Sequence, residues 1–210
     1  MSIKRPLNFL EPFIQAHKDL KNEWLSNHKE SLLGNLPSSP ISLTDKVGAV
    51  ATQYRTNETG TNETNHYHLL ENMVLGLIGL EYGDTYKGYP CRFAGLDYED
   101  VWASFPILKQ VTKKAENIKG KKLEGVFFLE ANNFDMYYHK GLNPVIRSQL
   151  GLIIPNGDVG FQAVNKDPIQ LKEGSIDVIF NNTKNHRAWN RTGQRRVVLC
   201  IDWLIAKDDL

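Results

Sequence analysis

The run KEGSIDVIFNNTKNHRAWNRTGQRRVVLCIDW, from Lys172 to Trp203, decides how this chain folds. Two β-rich stretches in it, 175–180 and 196–203, are set off by the turn-forming pairs Glu173-Gly174 and Thr192-Gly193. In the last stretch a period of two puts Arg196, Val198, Cys200 and Asp202 on one face and Val197, Leu199 and Ile201 on the other. One face is wholly apolar, while the other carries a cation at one end and an anion at the other. Arg195 must face away from Arg196, so parity sends one of the two to solvent without saying which.

The same texture extends upstream through 125–131, 147–154 and 160–164, with turns at Asn132-Asn133 and at Pro155-Asn156-Gly157-Asp158. Many short strands at this spacing predict an antiparallel sandwich, jelly roll or barrel. Before Gly120 the pattern differs. Leu10, Phe13, Ile14, His17, Leu20 and Trp24 recur at helical spacing as far as about His28. A second helix is predicted over 98–117, interrupted at Pro106, and a third over 67–80 through Leu70, Val74 and Leu77. Between them lie a Pro/Ser-rich loop at 34–40, a short strand at 47–54 and a polar insert at 56–65 whose doubled TNET is too short for a repeat architecture. No linker divides helices from strands. A single domain, 1–210, is expected, with helical and substrate-side elements in 1–120 and the β core in 121–210. The helices should cover the outer face of the sheet and leave its mouth to a ligand.

Composition removes several function classes. A chain of 210 residues can bury a core without staples. A net charge of +1 gives no basic field for nucleic acid or membrane. Cys91 and Cys200, the only cysteines, are too few for a disulfide framework or a thiolate metal site. The beginning, MSIKRPLNFLEPFIQAHKD, has no uninterrupted apolar core, and no run approaches the ~20 residues of a membrane span. A cytoplasmic protein is expected. On that expectation the Asn-x-Thr triplets at Asn57, Asn62, Asn181 and Asn190 are not glycosylated, and the final KDDL is not a retention signal.

Of six histidines, His139 in YYHKGLNP and His186 in NHRAWNRTGQRR fall at strand edges. Neutral imidazole ligates Fe(II) well, and non-haem iron oxygenases use two histidines and commonly one carboxylate on one face of the metal. A bare pair of histidines is weak, being more often one core and one surface residue. Arg196 adds context. It lies ten residues past His186, across the turn at 191–194, and is predicted on the strand antiparallel to the one His186 leads. Cross-strand neighbours stand ~5–8 Å apart, which suits a short dicarboxylate that chelates metal at one end and meets guanidinium at the other. His66, His68 and Glu71 make a poorer cluster, because residues two apart on a helix face differently. Gly76 and Gly79 lack the strand–turn–helix setting of a nucleotide site, and Lys119–Lys122 reads as a solvated loop. Tyr138 and Trp189, each near a candidate ligand, are candidates to line a substrate pocket.

In order and spacing, HKGLNPVIRSQLGLIIP (His139 to Pro155) and the run at Lys172–Trp203 resemble the catalytic core of the aspartyl/asparaginyl β-hydroxylases. The resemblance covers about Glu124 to Trp203. VWASFPIL (Val101 to Leu108) is similar to the Trp…Phe-Pro segment that precedes this core, and little before Asp97 matches. The resemblance implies a mainly β protein with flanking helices, folded as a double-stranded β-helix of the jelly-roll, cupin-like kind. It implies an oxygenase using Fe(II), 2-oxoglutarate and O2, with His139 and His186 on the iron and Arg196 on the distal carboxylate of 2-oxoglutarate. Arg196 then faces inward, and loss of Arg195 should cost little. A supporting role for Arg147, on cosubstrate or substrate, and a polar cosubstrate contact from Gln149 are also implied. The implied target is the β-carbon of an amino acid, free or in a peptide, and an acyl chain is permitted.

The usual triad has an acidic residue two positions after the first histidine, where this chain has Gly141. Glycine cannot ligate, but members of the resembled family share it and manage with two histidines and water. Such a neutral site should hold iron less tightly. Strand alternation gives Asp135 no reason to replace the missing group. Three other readings stand beside this one: a 2-oxoglutarate-dependent halogenase, with halide in the room left by Gly141; a non-oxygenase cupin; and a catalytically silent binding module.

Overall fold

The computed structural model describes residues 7–29, 86–93, 95–136, 138–141 and 144–205. The readings made for 34–40, 47–54, 56–65 and 67–80, those for His66, His68, Glu71, Gly76 and Gly79, and that for the KDDL tail all lie outside these residues.

Ten strands are described: β1 (Tyr86–Phe93), β2 (Leu96–Asp97), β3 (Gly125–Ala131), β4 (Phe134–Asp135), β5 (Val145–Ile153), β6 (Val159–Ala163), β7 (Ile169–Gln170), β8 (Val178–Asn181), β9 (His186–Asn190) and β10 (Arg196–Leu204). They form a six-stranded sheet, β2-β1-β3-β10-β5-β8, and a four-stranded sheet, β4-β9-β6-β7. Every pairing is antiparallel. From β3 onward the chain alternates between the two sheets, except that β6 and β7 pair within the smaller one, so the core is a double-stranded β-helix, as the strand spacing and the resemblance led us to expect.

Four α-helices are described: α1 (Glu11–Gln15), α2 (His17–Asn27), α3 (Glu99–Ser104) and α4 (Pro106–Lys119). The break between α3 and α4 has a local cause. A residue before proline is pushed out of helical conformation, and Phe105 sits at φ −128°, ψ 61°. Pro106 then opens α4, where a missing N–H costs nothing. The next two donors, Ile107 N–H and Leu108 N–H, reach the Glu23 carboxylate of α2 at 2.6 and 3.0 Å. Gly120, at φ +72°, closes the helix in the left-handed conformation, its N–H on the Glu116 carbonyl.

The larger sheet divides its residues by parity. Val126, Phe128, Leu150, Leu152, Val197, Leu199 and Ile201 face the helices and pack with Phe13, Leu20, Trp24, Phe105 and Leu108. Phe127, Leu129, Val198 and Cys200 face inward. The smaller sheet returns Phe134, Met136, Val159, Phe161 and Ala188 to a second core with Val178 and Phe180. The helices therefore cover one sheet's outer face and leave the space between the sheets to the site.

Two expectations change. The β core begins before residue 121, because β1 adds to the edge of β3 from the segment assigned to helical and substrate-side elements. Gly88 and Pro90 hid it. Proline is tolerated here because the register shifts between Pro90 and Arg92, at a bulge. Nor are β9 and β10 a hairpin: β9 pairs with β4 and β6, β10 with β3 and β5. The turn at 191–194 is a corner between sheets, so Arg196 approaches His186 across the sandwich rather than along a ladder.

Candidate metal centre

His139 and His186 form an antiparallel bridge, each N–H donating to the other's carbonyl, at 2.9 Å from His139 and 2.8 Å from His186. That bridge sets the side chains beside one another, with ring centroids 4.4 Å apart and planes at 56°. His186 Nδ1 lies 2.7 Å from the Lys184 carbonyl. A carbonyl only accepts, so Nδ1 carries the hydrogen and Nε2 keeps its lone pair. His186 is buried against Phe180, at 4.4 Å, and Phe161, at 5.7 Å. Burial drives its pKa down to about 3 against the supporting Lys184 contact, and the nearby His139 and Arg147 push the same way. A neutral imidazole whose second nitrogen is anchored to a carbonyl is what a metal ligand requires. The donor set fits Fe(II).

The facing sheet supplies a cation. Arg196 is fully buried, its Nη2 donating to Gln149 Oε1 at 3.2 Å and its guanidinium 5.4 Å from the Phe134 ring centroid. Arg147 stands two residues from Gln149 on the same face of β5, about 7 Å along the strand. Asp202 holds it in a bidentate pair, Nε to Oδ1 at 2.8 Å and Nη2 to Oδ2 at 2.7 Å. Cys200, between Arg196 and Asp202, is no ligand: burial pushes its thiol up to about 12.

Five of the residues singled out from sequence thus face the space between the sheets: His139, His186, Arg147, Gln149 and Arg196. Tyr138 and Trp189 do not. Strand alternation turns them to the outer face, where Arg187 lies 5.1 Å from the Tyr138 ring and 5.3 Å from that of Trp189. The Trp189 indole N–H donates to Asp158. Asp135 is on that outer face too, paired with Arg191. Among the described residues, no group of three or more His, Cys, Asp or Glu side chains is placed to hold a metal. The room beside Gly141 is taken by the Asn182 amide.

Arg195 also departs from expectation. It is not solvated, because its Nε donates to Glu130 at 3.0 Å and its Nη1 to the His28 carbonyl at 3.1 Å. Glu130 is wholly buried. Sequence reasoning missed Asn182 and Asp202, though the second had a signal: it shares the inward parity of Arg196. Asn182 had none, lying inside a triplet considered only as a glycosylation signal. Both described triplets are in fact turn caps, with Asn181 Oδ1 accepting from Thr183 and Asn190 Oδ1 from Thr192.

The aspartyl/asparaginyl β-hydroxylase family model matches residues 55–205, reaching well upstream of Asp97. An ornithine lipid ester-linked acyl 2-hydroxylase from Rhizobium tropici is 31% identical over 117 residues, 49% of this chain. The match spans only 41% of that relative's length. Among solved structures, the DMSP lyase DddQ from Ruegeria pomeroyi is 12% identical with a TM-score of 0.41, covering 92% of this chain and 93% of the other. A 2OG-Fe(II) oxygenase family oxidoreductase from Burkholderia pseudomallei is 13% identical with a TM-score of 0.39, covering 80% and 93%.

Proposed function

This chain belongs to the aspartyl/asparaginyl β-hydroxylase family, and from that premise we propose that it is an Fe(II)- and 2-oxoglutarate-dependent oxygenase that hydroxylates a C–H bond of a small molecule or peptide. The observation that carries the reading is the adjacent His139–His186 pair on one sheet, facing the buried Arg196–Gln149 pair on the other. Iron bound with 2-oxoglutarate and O2 supplies the oxidising chemistry, placing one oxygen atom on substrate and one in succinate as CO2 leaves.

His139 and His186 would hold the metal. Arg196 binds the distal carboxylate of 2-oxoglutarate, and a guanidinium already desolvated in the fold does so without a fresh desolvation cost. Gln149 holds one arm of that guanidinium and orients the rest. Phe134, Phe161 and Phe180 exclude water around these groups. Arg147, fixed by Asp202, would meet a carboxylate of cosubstrate or substrate. Asp202 is its positioning residue.

The leading target is the β-carbon of an amino acid, free or in a peptide. A second reading, an acyl carbon next to a carbonyl, is favoured by the Rhizobium relative. Both place the attacked carbon near a carbonyl group. We assign the protein to the cytoplasm, which suits two buried free thiols. Among the described residues, no helix is long and apolar enough to cross a membrane.

Iron-loaded protein should convert 2-oxoglutarate to succinate, giving a product one oxygen atom heavier from a panel of amino acids, peptides and acyl conjugates. Folded, iron-bound protein that makes no succinate with any of them sinks the proposal. Turnover that persists without O2 would point to another cupin chemistry instead.

A further inference from the structure

Asn182 fills the space that Gly141 leaves. A Cβ placed on Gly141 would lie 1.9 Å from Asn182 Nδ2, 2.5 Å from Cγ and 2.7 Å from Oδ1. The amide therefore stands where the first atom of any side chain at position 141 would be. It is also held there. Gly141 N–H donates to the Asn182 carbonyl at 2.7 Å, Asn182 N–H donates to the Val145 carbonyl at 2.9 Å, and Asn182 is 4% exposed. Position 141 is two residues beyond His139, on the side from which a triad carboxylate would approach. A glycine there opens that side to a small anion, provided nothing else occupies it.

We propose that Asn182 closes the third protein-facing position of the centre to small anions such as chloride, and so reserves it for water. The inference rests on reading His139 and His186 as the metal ligands. The amide is neutral, so it neither draws an anion by charge nor replaces the missing carboxylate, and its bulk takes the volume a halide needs. A buried amide is compatible with a neighbouring water, to which it offers both donor and acceptor.

Bromide reads this directly, because its anomalous scattering locates it. Crystals of the full chain, loaded with Co(II) and 2-oxoglutarate and soaked in bromide, should show no bromide beside Gly141 in the wild type. They should show it there in Asn182→Ala and Asn182→Gly. Bromide in the wild type, or in neither variant, overturns the inference. The metal's own anomalous peak is read in the same crystals. Its absence between the two imidazoles overturns the reading of the centre and the inference with it, whereas metal in place with bromide in the wild type overturns the inference alone. A second measurement needs no metal. Gly141→Ala should lower Tm by roughly 3–10 °C in the wild type and by a small fraction of that in Asn182→Gly. Equal losses in the two backgrounds would show that the amide does not fill this space.

Discussion

Arg196 and Arg195 are chemically identical neighbours with opposite employments. Arg196 lies between the sheets on Gln149, while Arg195 crosses the outer face to Glu130 and His28. Arg196→Ala should raise the 2-oxoglutarate requirement by a factor worth roughly 2–4 kcal/mol and leave metal binding nearly intact. Arg196→Lys, a point charge in place of a fork, should recover part of that. His186→Ala should lose metal first. Paired titrations with Co(II) and 2-oxoglutarate separate these outcomes, and equal loss of metal in both variants would break the division of labour. Arg195→Ala should leave cosubstrate affinity alone yet destabilise by about 2–4 kcal/mol, because it strips the guanidinium from a buried carboxylate. Glu130→Gln in the same chain should restore much of the loss in a denaturant titration. Parity was legible in sequence, since residues alternate on a strand whatever surrounds them. Glu130 was not, because it lies 65 residues away and meets Arg195 only after β3 and β10 pair.

Among the described residues, elements with a local pattern were read correctly, while their pairing and the elements without such a pattern were not. The interior of β3, β5, β6, β8 and β10 followed from alternation and turn residues, with ends shifted by a few positions. The two-residue strands β2, β4 and β7 carry too little pattern to find, and β1 is obscured by its own Gly88 and Pro90. The β9–β10 corner looked like a hairpin because turn chemistry reports a change of direction, not the sheet the next strand joins. Asn190 holds that corner. Wholly buried, its Nδ2 donates to the carbonyls of Ala131, Asn132 and Gln194, tying the β3–β4 turn to the approach of Arg196. Asn190→Ala should cost about 2–4 kcal/mol and weaken 2-oxoglutarate binding, while Asn190→Asp, which keeps the acceptor, should retain the Thr192 contacts but not these donations. A variant as stable as the wild type would remove the corner from the account. A second fastening joins β1, β2, α3 and the segment after α4, where Arg92, Trp102 and Lys122 all donate to Asp97. Burial alone would raise the Asp97 pKa, but these donors outweigh it and bring it from 3.8 down to about 2. The folded value lies below the unfolded one. Its stabilisation, about 2 kcal/mol at most, is therefore complete above pH ~4 and lost as pH falls toward ~2. Asp97→Asn should flatten that limb of the stability curve, and an unchanged limb would assign acid unfolding to other groups.

At the scale of the molecule, the two sheets meet over an interior that is apolar except where the site lies, and the proposed ligands divide between them. His139 and His186 belong to the smaller sheet, and Arg196, Gln149 and Arg147 to the larger. His139 and His186 would hold a metal from the smaller sheet alone, fastening β9 to the segment after β4. On the proposed reading, 2-oxoglutarate held at the metal centre would span the gap to Arg196 on the larger sheet. Ligand that binds only the folded state stabilises it by RT ln(1 + [L]/Kd), about 2.7 kcal/mol at a hundredfold excess over Kd, or roughly 5–10 °C in Tm for a domain of this size. Under anaerobic conditions Co(II) alone should raise Tm by part of this and slow amide exchange chiefly along β9 and its neighbours. Adding 2-oxoglutarate should raise Tm again and extend protection to β10 and β5. In Arg196→Ala the first increment should persist and the second should shrink, because the bridge has lost its anchor on the larger sheet. If 2-oxoglutarate protected only the smaller sheet in the wild type, or protected both sheets equally well in Arg196→Ala, the cosubstrate would not bridge the sandwich through this residue.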